Sequence, residues 1–188
     1  MAERGSRDGI VNDALPKGSK ATWTQTIYVP VQGDKRLGYV VEGITQGFKR
    51  PIKLMVSLDP QFTVTGLAIL EHEEDPGLGA EIVQDYFKNQ FAGKTLDVLK
   101  NLKVVKEPLP EDYLPALEPA RAQKAAIRAD KIKEIKDKYL KSDIYAITGA
   151  TISSRAVTNG VTNSVRKFVY RLGILSEAIK QENLQVAF

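Results

Sequence analysis

The chain is organised around residues 144–157, which read IYAITGATISSRAV. This stretch begins as an apolar, strand-like run, turns at TGAT and opens into a helix with one apolar face. The first N–H groups of a helix have no partner within it and carry a partial positive charge, so a helix start suits a phosphate. Four hydroxyl side chains fall at this helix start: Thr148, Thr151, Ser153 and Ser154.

The hydroxyl cluster has two interpretations. Ser and Thr are preferred at helix starts, so the cluster fits a plain helix cap. It also fits the site of a phosphoester, because such an ester needs a hydroxyl and the helix start offers donors to the phosphate oxygens. Gly149 lacks a Cβ and lets a ligand approach the backbone, and Arg155 adds positive charge.

Composition excludes several classes of function. The 188 residues are 43% hydrophobic and 27% charged, which fits a soluble globular domain. The net charge is only +4 and aromatics make up 7%, so we expect no nucleic-acid partner. The absence of Cys and the single His, His72, argue against thiolate catalysis, iron–sulfur clusters and a multi-His metal site. No hydrolase signature such as Gly-x-Ser-x-Gly is present, so we predict no catalytic residue. The lack of Cys and of further His leads us to predict no metal site.

The N-terminal half predicts an antiparallel meander. Its β-forming runs are joined by short turns, which favours pairing between neighbours. A polar loop rich in acidic residues follows, and Ile82–Phe91 then has the spacing of a short amphipathic helix that stops at Gly93. Residues 94–107 are expected to include a strand. The β-forming runs of the meander are 22–31, 38–44, 52–58 and 62–70.

The C-terminal half predicts mainly helices. Residues 107–119 contain four prolines and predict an irregular connection. Ala120–Leu140 predicts a single helix with a solvated basic face. After TGAT, apolar and small residues recur on one helix face from Ala156 to Leu172, and Gly173 is expected to end that helix before a short last one at 174–179.

Together these elements predict an α+β fold, with a mostly antiparallel sheet flanked by helices. We expect one domain over residues 21–180. A flexible N-terminal segment, 1–20, precedes it, and a C-terminal tail, 181–188, follows. No run of about 18 apolar residues occurs, so no part of the printed sequence is predicted to span a bilayer.

Two separated motifs resemble those of a known family. TGAT followed by ISSRAV resembles the flavin-attachment motif of FMN-binding domains, which occur in the G subunit of Rnf-type ferredoxin:NAD oxidoreductase complexes and the C subunit of sodium-translocating NADH:quinone reductases. Residues 70–80, LEHEEDPGLGA, resemble that family's Glu-Thr-Pro-Gly-Leu-Gly loop. Residues 47–58 and 64–70 are similar to the strand pair before that loop. The similarity runs over 38–172, and residues 107–141, which resemble nothing in the family, are interpreted as an insertion.

The resemblance implies a covalent FMN. In that family the last Thr of the motif carries FMN through a phosphoester, which maps onto Thr151. The phosphate would have support from Thr148, Gly149, Ala150 and Ser153. The loop would give the isoalloxazine apolar contacts through Pro76 and Leu78 and close backbone approach through Gly77 and Gly79. Asp75 belongs to the same cofactor-binding loop. Glu74 would hydrogen-bond or tune the ring, or else is a solvated loop carboxylate.

The chain departs from the family pattern at two positions. Tyr145 stands where an acidic residue usually lies, three places before the motif, and Asp143 is the nearest acidic substitute. Asp75 stands where the loop usually has Thr.

The resemblance also implies a function. It predicts an electron-transfer flavoprotein subunit of a membrane-bound, ion-translocating Rnf-type complex, without a complete active site of its own. The implied partners are the other membrane subunits and a flavin transferase that reads the motif. The family's place is the cell inner membrane, with this domain on the periplasmic or extracytoplasmic side. Family members carry an N-terminal transmembrane helix, so we expect this chain to be a soluble piece of such a protein.

Two alternatives stay open. One is the C subunit of a sodium-translocating NADH:quinone reductase, which shares the motif. The other belongs to a different class, a non-redox module that uses the same turn for a phosphate ligand or as a plain cap.

Overall fold

The computed structural model describes residues 27–32 and 35–181. The predicted flexible segment 1–20 lies outside the described residues, as do residues 22–26 of the first predicted strand and 182–188 of the predicted tail. Within the described part, no helix is both long enough and apolar enough to cross a membrane.

The strands confirm the predicted antiparallel meander. They are β1 (Ile27–Tyr28), β2 (Val31–Gln32), β3 (Lys35–Arg36), β4 (Tyr39–Gln46), β5 (Pro51–Leu58), β6 (Val64–Glu71), β7 (Val104–Val105) and β8 (Ile144–Tyr145). The central sheet has the order β1-β4-β5-β6, and all its neighbours are antiparallel. The β2–β3 hairpin is antiparallel, whereas β7 and β8 form a short parallel pair.

The helical elements complete an α+β fold, as predicted. They are a 3-10 turn (Gly79–Val83), α1 (Asp85–Lys88), a second 3-10 turn (Asn89–Phe91), α2 (Leu96–Asn101), α3 (Leu114–Leu117), α4 (Pro119–Lys124), α5 (Ala129–Tyr139) and α6 (Thr151–Gln181). The long helix α6 packs mainly against β4 and β5. The core between them follows the two-residue period of a strand, and on β5 the buried side chains are Ile52, Leu54, Val56 and Leu58.

The predicted single helix over Ala120–Leu140 is wrong, because the chain ends one helix near Ala126 and starts another. Ala126 has a φ of 50°, in the left-handed region. The Ile127 N–H then donates to the Ala122 carbonyl at 3.0 Å, which is the Schellman ending of a helix. Glycine usually holds the left-handed position, so an alanine there is no helix-stop signal in the sequence.

Other helix boundaries also differ from the prediction. The helix predicted over 82–91 is divided, because Gln84 has an extended backbone with ψ of 148°. Residues 94–107 contain the expected strand, β7, but also α2. The helix predicted to end at Gly173 continues to Gln181, since a glycine inside a helix costs only about 1 kcal/mol.

Helix α6 approaches the sheet closely through small residues. A Cβ built on Gly43 of β4 would lie 2.1 Å from the Ser164 Oγ, and one built on Gly160 of α6 would lie 2.8 Å from Leu54. The Thr45 hydroxyl also donates to the Ala156 carbonyl at 3.0 Å. These contacts fix α6, and therefore its first turn, against the sheet.

Residues 107–141 form a helical layer with a small core of its own. The predicted irregular connection over 107–119 contains α3 and the start of α4. The rings of Tyr113 and Tyr139 stack with centroids 4.1 Å apart, and they pack with Ala116, Leu117 and Ile135. Three polar side chains attach this layer, and the segment that follows it, to the rest of the protein, because each donates a hydrogen bond to a backbone carbonyl there. They are Asn89, Gln90 and Lys94.

Candidate cofactor site at the start of helix α6

The TGAT turn connects β8 to α6. The parallel pairing of β7 and β8 carries the chain to Ala146, whose N–H donates to the Val105 carbonyl at 2.9 Å. The turn closes where the Ala150 N–H donates to the Ile147 carbonyl at 2.9 Å. Gly149 has a φ of 77°, which favours glycine, and a Cβ there would lie 3.0 Å from the Leu78 side chain.

The four hydroxyls of the motif have different surroundings. Ser154 is fully buried; its Oγ accepts from the Ile147 N–H and donates to the Ala150 carbonyl, both at 3.0 Å. Ser153 is also buried, and its hydroxyl donates to Glu74. Thr148 is exposed and Thr151, the first residue of α6, is half-buried. Among the described residues, neither threonine side chain has a hydrogen-bond partner, so these two hydroxyls remain available at the helix start.

The acidic loop after β6 lies against this helix start through Glu74. Only 5% of Glu74 is exposed, and its Oε2 accepts the Ser153 hydroxyl. Its Oε1 accepts from the Lys49 N–H at 3.1 Å, and its own N–H donates to His72 Nδ1 at 3.3 Å. Glu74 is thus a buried carboxylate whose two oxygens each face a donor, and not a solvated loop residue.

A third segment of the site, the β4–β5 turn, was not anticipated from the sequence. Its Lys49 ammonium pairs with Asp75, and Arg50 pairs with Glu73 at 2.9 Å. The signal for this contact was charge complementarity between FKRP at 48–51 and HEED at 72–75, two segments on either side of the β5–β6 strand pair. Asp75, which stands where Thr is usual in the family, is therefore matched by a lysine in this chain.

The glycines of the site are required for different reasons. A Cβ on Gly79 would lie 2.7 Å from the Ser153 Oγ and 2.8 Å from Glu74, and one on Gly47 would lie 2.5 Å from Glu74 Oε1. Both glycines therefore make room for the Glu74 carboxylate. Gly77 instead has a φ of 71°, and a Cβ added there would meet nothing within 4 Å, so its turn conformation is what favours glycine.

The predicted site residues of the loop and of the turn come together in the fold. Leu78 reaches Gly149, and Gly79 and Glu74 reach Ser153, so both motifs border one surface. Exposed apolar side chains lie on all three segments: Leu78 is 46% exposed, Ile152 56% and Phe48 60%. The predicted residues divide by burial, with Pro76, Gly77, Leu78, Thr148 and Gly149 exposed, Asp75 and Thr151 intermediate, and Glu74, Gly79, Ala150 and Ser153 buried.

The other departure from the family pattern has a packing role. The Tyr145 side chain packs against the core of the helical layer. Asp143, the nearest acidic residue, accepts from the Lys103 N–H at 2.9 Å and so holds the start of the β7–β8 pair. Within the described ranges, no group of three or more His, Asp or Glu side chains could hold a metal ion.

Comparison with known proteins identifies the family of this chain. Residues 47–166 match the family described as "FMN-binding domain". The chain is 32% identical over 158 residues to the G subunit of a proton-translocating ferredoxin:NAD(+) oxidoreductase complex from Clostridium ljungdahlii, covering 84% of this chain and 67% of that protein. It is 27% identical over 143 residues to the G subunit of a Na(+)-translocating ferredoxin:NAD(+) oxidoreductase complex from Acetobacterium woodii, covering 76% and 54%.

Solved structures share the fold. The crystal structure of NqrC from Shewanella oneidensis aligns with a TM-score of 0.50 at 20% identity, over 72% of this chain and 52% of that one. The C subunit of a Na(+)-translocating NADH-quinone reductase from Parabacteroides distasonis aligns with a TM-score of 0.50 at 24% identity, over 78% and 61%. The chain thus spans between about half and two thirds of the length of these relatives. With its family match over more than half of its length, this chain belongs to the family of FMN-binding domains and is a relative of the G subunits of ferredoxin:NAD(+) oxidoreductase complexes.

Proposed function

We propose that this chain is an electron-transfer flavoprotein domain that carries FMN covalently, through a phosphoester to Thr151. Family membership and the two G-subunit relatives support the redox assignment. When bound, FMN supplies the one-electron chemistry, and the chain supplies its position and electrostatic surroundings. The domain has no complete active site of its own and passes electrons within a larger assembly.

The attachment site is inferred from the different burial and hydrogen bonding of the motif hydroxyls. Ser153 and Ser154 are buried and bonded inside the protein, whereas Thr151 is half-buried at the first position of α6. There the first-turn N–H groups and the helix dipole favour an anion bound to its hydroxyl. Exposed Thr148 and Arg155 flank that position and would add a hydrogen bond and a charge.

The exposed residues of the acidic loop after β6 form a surface on which the flavin ring would lie. Pro76, Gly77 and Leu78 are exposed beside the turn, and Leu78 already contacts Gly149. An isoalloxazine tethered at Thr151 would cover this apolar surface, which includes Ile152. The contact removes apolar area from water, which favours a fixed ring over a free one.

The assembly we propose is a membrane-bound, ion-translocating ferredoxin:NAD oxidoreductase of the Rnf type. Two G subunits of ferredoxin:NAD(+) oxidoreductase complexes are 32% and 27% identical to this chain, and this similarity supports the Rnf type. The partners would be the other membrane subunits and a flavin transferase that attaches the cofactor. In that step the Thr151 hydroxyl would lose its proton and attack the flavin-side phosphorus of a flavin dinucleotide, so that the diphosphate bond breaks and a nucleoside monophosphate leaves. The domain would lie on the extracytoplasmic side of the cell inner membrane.

Production of the chain with a flavin transferase tests the proposal. We expect a yellow protein whose intact mass is raised by one FMN residue and whose colour survives denaturation and gel filtration. A chain that stays colourless and unmodified, while an Rnf-type G subunit treated in the same way is modified, would contradict the proposal. It would then favour a non-redox module that uses the turn for a phosphate ligand or as a cap.

A further inference from the structure

We propose that Glu74 is a positioning residue of the flavin site, which acts through Ser153 and the β4–β5 turn rather than by contact with the ring. This inference rests on the proposed function. The first observation is that both carboxylate oxygens are occupied by the protein, Oε2 by the Ser153 hydroxyl and Oε1 by the Lys49 N–H at 3.1 Å. With 5% of its surface exposed, Glu74 faces the interior of the site.

The Glu74 carboxylate can be buried because it lies at the first turn of α6. Ser153 is the third residue of α6, where side chains of capping boxes bond at helix starts. Glu74 supplies an acceptor at this position from a separate segment, and the positive end of the helix dipole stabilises it. The cation of Lys49 is not its partner, because that ammonium pairs with Asp75. A buried carboxylate held in this way has one geometry, since any other leaves it without donors.

The glycines around Glu74 show that the site is built to hold it. Gly47 and Gly79 come from different segments, yet a Cβ on either would lie within 3 Å of the carboxylate oxygens. Three chain segments therefore converge on one side chain: the β4–β5 turn, the acidic loop and the first turn of α6. Thr151 lies two residues before Ser153. The Glu74–Ser153 contact therefore sets the distance between the Thr151 hydroxyl and the Leu78 side chain of the acidic loop.

The expected consequence is a loss of order at the cofactor rather than a loss of fold. In Glu74→Ala, Ser153 and the Lys49 N–H lose their common acceptor, and the loop is released from the helix start. In Glu74→Gln, the amide carbonyl still accepts from the Lys49 N–H, and the amide NH₂ donates to the Ser153 Oγ, whose hydroxyl is a good acceptor. The conservative variant should therefore retain the geometry that the alanine variant loses.

The test uses the full chain produced with a flavin transferase. The readouts are the fraction of protein carrying FMN, measured by intact mass after a limited reaction time, and the visible circular dichroism of the attached flavin, which reports fixed surroundings. For Glu74→Ala we expect attachment slowed several-fold and most of the visible dichroism lost, while Glu74→Gln stays close to wild type. Ser153→Ala should resemble Glu74→Ala, and the double variant should be no worse than either, because both act through one contact.

A matched control separates positioning from general destabilisation. Val165→Ala removes fully buried side-chain volume on the same helix, away from the motif, and should lower stability while leaving attachment and dichroism unchanged. A Glu74→Ala protein with wild-type attachment and dichroism would overturn the inference alone. So would a Glu74→Gln protein as impaired as Glu74→Ala, or a Val165→Ala protein with the same flavin defects. A wild-type chain that takes up no FMN would overturn the proposed function and this inference with it.

Discussion

The side-chain amide of Gln90 hydrogen-bonds to both backbone polar groups of Tyr145, its N–H and its carbonyl. The Tyr145 N–H donates to the Gln90 Oε1 at 2.8 Å, and the Gln90 Nε2 donates to the Tyr145 carbonyl at 3.3 Å. Only 2% of Gln90 is exposed, so it serves β8 as a neighbouring strand would. The strand that leads into the TGAT turn is thus fixed by a side chain from the 3-10 turn before Gly93.

Gln90→Leu tests this pairing. The leucine fills a similar volume but leaves the Tyr145 N–H and carbonyl without partners, so the free energy of unfolding should fall by about 2–4 kcal/mol. Urea denaturation of the flavin-free chain measures the change. The control Gln123→Leu, at an exposed position of α4, should stay within about 0.5 kcal/mol of wild type. A loss no larger than that of the control would mean that the pairing contributes nothing.

The close approach of α6 to the sheet is tested by two alanine substitutions on that helix. Gly160→Ala places a Cβ 2.8 Å from Leu54 and 2.9 Å from Thr45, and overpacking of this kind should cost about 1–3 kcal/mol. Gly173→Ala meets nothing within 4 Å and should stabilise the helix by up to about 1 kcal/mol. Thermal unfolding of both variants decides the matter. If Gly173→Ala destabilises the protein, the helix does not run through this position.

Lys94 predicts a dependence of stability on pH. It is 1% exposed, donates to the carbonyls of Leu140 and Ser142 at 3.2 and 2.6 Å, and burial lowers its pKa to about 8, against the opposing charge of Asp143. Between about pH 8 and the ordinary lysine pKa, the unfolded chain binds more protons than the folded one, so stability rises with pH. The rise contributed by this group is of the order of 3 kcal/mol at most.

Lys94→Met removes the titrating group and isolates its contribution. Urea midpoints of wild type and variant, measured near pH 8 and near pH 10, should show a difference that changes in favour of wild type at the higher pH. Other lysines and tyrosines titrate equally in both proteins and cancel in the comparison. Parallel pH profiles of the two proteins would contradict the lowered pKa of Lys94.

Asp75→Thr restores the residue that is usual in the family loop. It removes the ion pair between Lys49 and Asp75, in which the Lys49 side chain is 47% exposed and the Asp75 side chain 39%. Because exposed ion pairs contribute little, the free energy of unfolding should fall by less than about 1 kcal/mol. Flavin attachment should be unchanged, since Glu74 still anchors the loop through Ser153. The measurement is the intact mass after reaction with the transferase, together with a urea midpoint. A large loss of attachment would show that the Lys49–Asp75 pair, and not Glu74, holds the loop.

The sequence was sufficient where local pattern decides structure. β-forming runs joined by short turns predicted the antiparallel pairing of β4, β5 and β6. TGAT before an apolar helix face predicted the strand–turn–helix of the candidate site. It was insufficient where a distant contact decides. The opposite charges of residues 48–51 and 72–75 indicate that these segments meet, but they do not identify the partners of Glu74. Those are the Lys49 N–H, 25 residues before it, and the Ser153 hydroxyl, 79 residues after it. The end of α4 at the left-handed Ala126 could not be predicted from the sequence either, since alanine does not favour that conformation.

The most direct test of the account is the location of FMN within the chain after production with a flavin transferase. Trypsin releases residues 142–155 as one peptide, SDIYAITGATISSR, which contains every hydroxyl of the motif. Tandem mass spectrometry should find FMN on Thr151, and Thr151→Ala should remove it while Thr148→Ala keeps it. FMN found on another hydroxyl of this peptide, or retained by Thr151→Ala after denaturation, would contradict the account.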